Sequence, residues 1–297
     1  MKELDFVSII MQQAGGDFIG DDCAYIKDAG IVISQDNLTE GIHFKRDWYS
    51  PYQLGYKSAA VNISDILASG AVPKYLTIGL SLTNDIDEDF IKEFYRGVNS
   101  VDKRVKVIGG DITGSKTDLF ISVTAIGKTE GRNISSRRYA KPGYAVITKG
   151  LFGSSAAGLE QLIKGGNNKE HILSHLMPTL EFEFSEEVAT GVNSEYAMMD
   201  SSDGLSDALF RIAEASGVSV VADYNLIPHS DSVTKEQVLF GGEDYKLIAC
   251  VPKDCLKNIP DCVQIGEVCE YNGTRVKIND LVINKYDDVK SYNHFKQ

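Results

Sequence analysis

Proline and cysteine are scarce: seven and five in 297 residues. The cysteines are Cys23, Cys250, Cys255, Cys262 and Cys269. An odd number without CxxC spacing gives neither a disulfide framework nor a zinc signature. No apolar run reaches the length of a membrane span. Basic residues are outnumbered, 30 Lys and Arg against 42 Asp and Glu, for a net charge of −12. A nucleic-acid groove needs the opposite balance. Low-complexity tracts and solenoid repeats are missing. So is a P-loop: Gly127-Lys128-Thr129 imitates its end, but the first glycine it requires falls on Ser122. There is no Gly-x-Ser-x-Gly, no HExxH and no Gly-rich protein-kinase loop. Met1-Lys2-Glu3-Leu4-Asp5 has acids where a signal peptide is basic, which makes the cytoplasm the expected location.

What remains is an ordinary globular composition, 43% hydrophobic and 24% charged, long enough for two cores. The best boundary is the basic, turn-forming Arg137–Gly143, giving domains of 1–138 and 139–297. Each half mixes strands and helices, an α+β reading. Ser50-Pro51 starts a helix that runs through Asn62 and Asp65 to Gly70. Strands are expected over Ile31–Ser34, Tyr75–Leu82, Arg104–Ile108 and from Leu119 onward, and in the second half at 144–148, 197–199, 218–222, 245–251 and 262–268. Asp36, Asp111 and Asp200 would each follow a strand. Parallel strands would bring these acids to one sheet edge, where α/β proteins place ligands.

The acids sit in distinctive company. Gly20-Asp21-Asp22 is a tight turn; Asp36 precedes Glu40-Gly41-Ile42-His43-Phe44; Asn62-Ile63-Ser64-Asp65 lies inside an apolar helix. Gly109-Gly110-Asp111 joins flexible backbone to an acid. Asp200-Ser201-Ser202-Asp203-Gly204 opens a helix, and Gly241-Gly242-Glu243-Asp244-Tyr245 precedes a strand. Each alone has an ordinary explanation: a surface turn, an N-cap, a structural histidine, a hairpin. Polar groups inside an apolar helix, however, need partners. Gathered carboxylates repel unless some protonate or cations bind between them, and hard cations held by aspartates are a usual device for handling phosphate.

Taken in order, these segments resemble the thiamine-monophosphate kinase family, in the superfamily of aminoimidazole ribonucleotide synthetase and selenophosphate synthetase. The likeness runs over seven pieces: Gly20–Ala24, Ile33–Asp36 with Glu40–Phe44, Gly55–Asp65, Gly70-Ala71, Gly109–Asp111, Asp200–Leu205 and Gly241–Tyr245. It implies an N-terminal mixed-sheet domain of the aminoimidazole ribonucleotide synthetase type that pairs into a homodimer, and a C-terminal α/β domain covering the site. The implied reaction moves the γ-phosphoryl group of ATP directly, in line, to thiamine monophosphate, with several Mg2+ ions and no covalent nucleophile. Asp22, Ser34, Gln35, Asp36, Asp65, Asp111, Asp200 and Asp203 match metal positions. Tyr95, Gly110, Asp111, Arg137 and Ser202 match positions near ATP; His43, Glu243 and Tyr292 match positions near thiamine phosphate. No nucleic-acid or membrane partner is implied. Two departures stand out. The family's Ser-Thr-Asp is Ser34-Gln35-Asp36 here, leaving position 35 its backbone oxygen as a ligand. Its Gly-Tyr-Asp-His-Phe is Ser291-Tyr292-Asn293-His294-Phe295.

Rival readings are a sister ATP-dependent enzyme, a metal-dependent phosphohydrolase and a non-catalytic nucleotide sensor. Selenophosphate synthetase would need a reactive Cys or selenocysteine within Met1–Gly20, and none is there. The hydrogenase-maturation relative ends in a functional cysteine, whereas this chain ends His294-Phe295-Lys296-Gln297. Aminoimidazole ribonucleotide synthetase lacks the Glu-Gly-Ile-His-Phe and Gly-Gly-Glu-Asp-Tyr pieces.

Overall fold

The computed structural model describes residues 3–16 and 18–290. A first sheet comprises β1 (Ala24–Ile26), β2 (Ile31–Thr39), β3 (Val72–Leu82), β4 (Lys106–Gly114) and β5 (Phe120–Lys128), in the order β1-β2-β5-β3-β4. All its pairs are antiparallel except β3 with β4. A second sheet comprises β6 (Ala145–Thr148), β7 (Ala197–Asp200), β8 (Ser219–Ala222), β9 (Leu247–Val251), β10 (Val263–Cys269), β11 (Val276–Ile278) and β12 (Leu281–Ile283), in the order β12-β11-β8-β10-β6-β9-β7. It is antiparallel apart from β8 with β11. The helices are α1 (Glu3–Ala14), α2 (Pro51–Ala68), α3 (Glu88–Val101), α4 (Ser154–Lys164), α5 (Lys169–Leu176), α6 (Phe182–Gly191), α7 (Leu205–Ser216) and α8 (Lys235–Phe240).

Helix α2 organises the molecule. Ser50 caps it and Gln53 completes a reciprocal capping box, with proline at the first helical position. It packs on β2, β3 and β5 on one side and on β7, α5 and α6 on the other. A helix enclosed on both sides needs small residues for close approach, and Gly55, Ser58, Ala59, Ala60, Ser64 and Ala68 supply them, all buried. At Gly55 a Cβ would lie 1.9 Å from the Phe94 carbonyl oxygen, so α3 can cross here only over a glycine. The polar cost of burial is met locally: Ser58 Oγ donates to Leu54 O (2.8 Å) and Asn62 Nδ2 to Ser58 O (3.1 Å).

Two strand expectations change. β2 continues to Thr39, so Asp36 lies within the strand and not after it. β4 runs through the glycines to Gly114, so Asp111 pairs with Gly79 in mid-strand. Period-two patterning could not reveal β4's extent, because that edge strand is exposed along nearly its whole length.

Candidate active site between the two sheets

The acids do not meet at the edge of one sheet, as their positions after predicted strands implied. They converge between the sheets, around the C-terminal half of α2. Asp22 comes from the loop before β1, Asp65 from α2 and Asp200 from the last residue of β7; one oxygen of each lies within 4.8 Å of the others. Asp200 is buried and the other two partly so. Asp36 is anchored beside them, its backbone N–H donating to Asn62 Oδ1 (2.9 Å). Ser64 Oγ donates to Asp200 Oδ2 (2.5 Å) and Ser202 N to Asp200 Oδ1 (3.2 Å). Asn62 and Ser64, the polar residues within the apolar helix, thus hold the acid-bearing segments.

Crowding shows in the carboxyl groups' proton affinities. Burial, then the charges of Asp22 and Asp203, lifts Asp36 to about 6. Burial, then Asp22, lifts Asp200 to about 7 against the opposing Ser64 hydrogen bond. Burial followed by Asp36, Asp200 and Asp22 raises Asp65 far above the ordinary carboxylate range, opposed by Arg137. Arg137 Nη2 lies 2.8 Å from Asp22 Oδ1, and Asp21 receives the Arg137 N–H (2.7 Å) and the Ser136 hydroxyl (2.8 Å). The guanidinium of Arg137 thus offsets the charge at Asp22 and Asp65. The donors are hard oxygens. The nearby soft group, Cys23, gives its thiol to the Asp65 carbonyl oxygen (3.3 Å), and burial followed by Asp65 and Asp22 keeps it protonated. Such a set suits a small hard divalent cation rather than zinc.

Other expected residues distribute unevenly. Ser34 is buried with its hydroxyl on Asn62 O (3.2 Å). Gln35 points to the opposite face of β2, where its amide meets Ser122 Oγ and Thr124 Oγ1 (each 3.3 Å). Its side chain is therefore away from the acids. Asp111 is exposed on β4, outside the three-acid group. Beside it, Gly110 is required: a Cβ would sit 1.9 Å from Ile78 O. Tyr95 is on α3 next to Phe94, which touches Gly55; ten residues along α2, about 15 Å, separate that contact from Asp65. Asp203 lies 3.5 Å from Arg211, which also holds buried Asp207 at 2.5 Å. Tyr292 lies outside the described residues.

A second charged centre surrounds Glu243. Its backbone is left-handed (φ 64°) and its N–H donates to Ser202 O (2.7 Å). Its Oε2 lies 3.2 Å from Lys57 Nζ and 3.3 Å from His175 Nδ1. Burial alone would raise Glu243, but Lys57 and then His175 hold it below its usual range. Burial and then Lys57 push His175 down to about 4, so it is neutral at pH 7. His43 accepts the Thr39 N–H at Nδ1 (3.1 Å), and its charge also acts on Glu243. Asp244 faces the other way. Its carboxylate accepts the N–H groups of Gly153 (2.6 Å) and Ser155 (2.8 Å) at the start of α4. Sequence reasoning missed Lys57 and His175. Lys57 carried a signal, a cation within an otherwise small and apolar helix; His175 carried none.

Residues 20–129 match the family described as AIR synthase related protein, N-terminal domain. The chain is 34% identical to the thiamine-monophosphate kinase of Bacillus subtilis, over 94% of this chain and 93% of that one. It is 32% identical to that of Aquifex aeolicus, over 99% and 98%. Among solved structures it resembles AaThiL complexed with AMPPCP and TMP, with a TM-score of 0.89 and 31% identity, covering 99% of this chain and 97% of that one.

Proposed function

The chain belongs to the thiamine-monophosphate kinase family, and we infer that it transfers the γ-phosphoryl group of ATP to the phosphate of thiamine monophosphate, giving thiamine diphosphate. The observation that carries the reading is the convergence of Asp22, Asp65 and Asp200 from three separate segments to within 4.8 Å. Donor and acceptor are both polyanions, so positioning and charge neutralisation are the main catalytic problems. Asp22, Asp36, Asp65 and Asp200, with Asp203 and Asp111 at the margins, would hold several Mg2+ ions; Ser34 and the Gln35 carbonyl are further oxygen donors. Those ions, when bound, neutralise charge on the phosphates and orient them.

The chain's own residues do the rest. Arg137 is the guanidinium for the nucleotide phosphates and is already aligned by the Asp21 and Asp22 contacts. Tyr95, Gly110, Asp111 and Ser202 complete the ATP end. By the resemblance, Glu243 and His43, with Tyr292 outside the described residues, would serve the thiamine end, where an acid and an aromatic face suit a cationic thiazolium. Transfer is direct and in line: the acceptor phosphate attacks, and no side chain becomes phosphorylated.

We place the domain division at 138/139 and the protein in the cytoplasm. No helix among the described residues is long and apolar enough to cross a membrane. The working form is a homodimer joined through the first sheet: β4 is an edge strand that exposes Ile108 (56%) and Ile112 (65%), a combination that invites pairing. Label transfer tests the activity. With γ-labelled ATP, Mg2+ and thiamine monophosphate, label should appear in thiamine diphosphate. Phosphate release from thiamine monophosphate without ATP would instead indicate a phosphohydrolase.

A further inference from the structure

Lys57 is 1% exposed, deep in α2, with its ammonium group enclosed by Glu243, His175 and the ring of Tyr49, whose centroid is 5.8 Å away. One explanation is a staple, since Lys57 Nζ donates to His175 O (2.8 Å) and so ties α2 to α5. Staples on the same helix, however, use neutral groups. Tyr56 Oη donates to Pro178 O (3.1 Å), and Ser185 Oγ donates to Leu67 O (2.7 Å). A hydrogen bond to a carbonyl does not require a buried charge, which is costly unless another charge compensates it. The compensating charge is Glu243, from the opposite half of the chain. It is presented on strained left-handed backbone and tied through its N–H to Ser202, two residues past Asp200. Such strain persists only where surrounding contacts over-determine it, and it clusters at ligand sites.

We propose that Lys57 is a positioning residue for the acceptor end of the site: acting through Glu243, it fixes the carboxylate that reads thiamine monophosphate. Helix α2 then sets the spacing of the whole site. Lys57 and Asp65 lie eight residues apart on one rigid helix, about 12 Å along its axis. Acceptor recognition and the acid cluster are held at that separation by a single element. His175, neutral and at hydrogen-bonding distance from Ser155 Oγ (3.1 Å), closes the third side of the carboxylate.

The inference rests on the reading of Glu243 as an acceptor-end residue, so three variants are compared: Lys57→Met, Glu243→Gln and the double. KM for thiamine monophosphate, KM for ATP and kcat are measured on each, with thermal unfolding as a check on folding. Both single variants should raise KM for thiamine monophosphate on the order of tenfold, with KM for ATP within about twofold. The double variant should be no worse than Glu243→Gln alone, because Lys57 acts only through that group. An unchanged acceptor KM in Glu243→Gln would sink the reading of Glu243 itself. A normal Glu243→Gln effect with an unchanged acceptor KM in Lys57→Met, or with both KM values rising equally there, would overturn the role of Lys57 alone. Multiplying effects in the double variant would do the same. Should Lys57→Met fail to fold around its unpaired acid, the double variant decides. Folded with the kinetics of Glu243→Gln, it supports the proposal; also unfolded, it makes Lys57 a structural staple and ends it.

Discussion

Asp200→Asn should abolish transfer and yet make the metal-free protein more stable at pH 8. Asp200 is buried against Asp22, and its carboxyl is lifted from 3.8 to about 7. At ~1.4 kcal/mol per pKa unit, that lift corresponds to an upper limit of roughly 4 kcal/mol. The sign follows from proton counting. Between about pH 4 and 7 the folded protein holds this proton and the unfolded chain does not, so stability falls as pH rises and the loss is complete above 7. Asparagine carries no charge to repel. Its Oδ1 can still accept from Ser64, but its NH2 then replaces the oxygen that accepted the Ser202 N–H, a lost hydrogen bond that keeps the gain below that upper limit. We expect a net gain of about 1–3 kcal/mol at pH 8 in chelator, and little gain at pH 5. His175 works in the opposite sense. Lowered to about 4, it contributes stability above its unfolded value of 6.5 that is lost as pH falls through 4. From about pH 4 to 6.5 these two slopes oppose each other, while Asp36, also raised, adds to the fall, so the metal-free wild type should be more stable at pH 5 than at pH 8. Mg2+ should stabilise the wild type at pH 8 by about 2.7 kcal/mol at one hundred times its Kd, and the variant much less. Urea midpoints at pH 5 and 8, in EDTA and in Mg2+, read all of these quantities. A variant less stable than wild type at pH 8 in EDTA, or one that keeps the wild-type response to Mg2+, would refute the idea that these carboxylates are held together against repulsion for a cation.

Three further outcomes are expected. Asp36→Asn and Asp111→Asn should each abolish transfer while circular dichroism stays native, because neutral amides bind Mg2+ poorly; near-normal rates at saturating Mg2+ would remove that residue from the metal site. His43→Ala should raise KM for thiamine monophosphate severalfold more than KM for ATP, and equal effects on both would argue against acceptor contact. Ile112→Lys places a charge on the exposed edge of β4, and sedimentation should then show a monomer with native circular dichroism and a lower apparent unfolding midpoint than the dimeric wild type. A variant that remains dimeric would move the interface off β4.

Much of the scaffold was legible. The Ser50-Pro51 start of α2 carries its capping chemistry in the sequence, and the capping box is there. The strands β6, β7, β8 and β10 fall within a residue of their expected bounds, because buried elements repeat their apolar pattern clearly. The elements that escaped are short or exposed: β1, α5, α8, β11 and β12 span three, eight, six, three and three residues, and the longer α1 is mostly exposed. The positions of Asp36 and Asp111 were misread for the same reason. A polar residue in mid-strand looks like a strand end when only apolar runs mark the strand.

The site itself was half legible, and the division is physical. Glycine–aspartate clusters announce themselves because turn geometry and charge are written locally. A residue such as Lys57 acquires its meaning only when β9's approach brings Glu243, from the far half of the chain, against α2. The same holds for Asp244, an acid whose motif leaves its role open until its oxygens are found on the N–H groups that open α4. In both cases the neighbouring residue misleads. Glu243 and Asp244 are adjacent acids in one motif, yet one faces a lysine from the other half and the other a helix end. Chemistry that depends on who faces whom across a domain contact is fixed by topology. A sequence can therefore nominate its acids, but only the fold assigns each of them a partner.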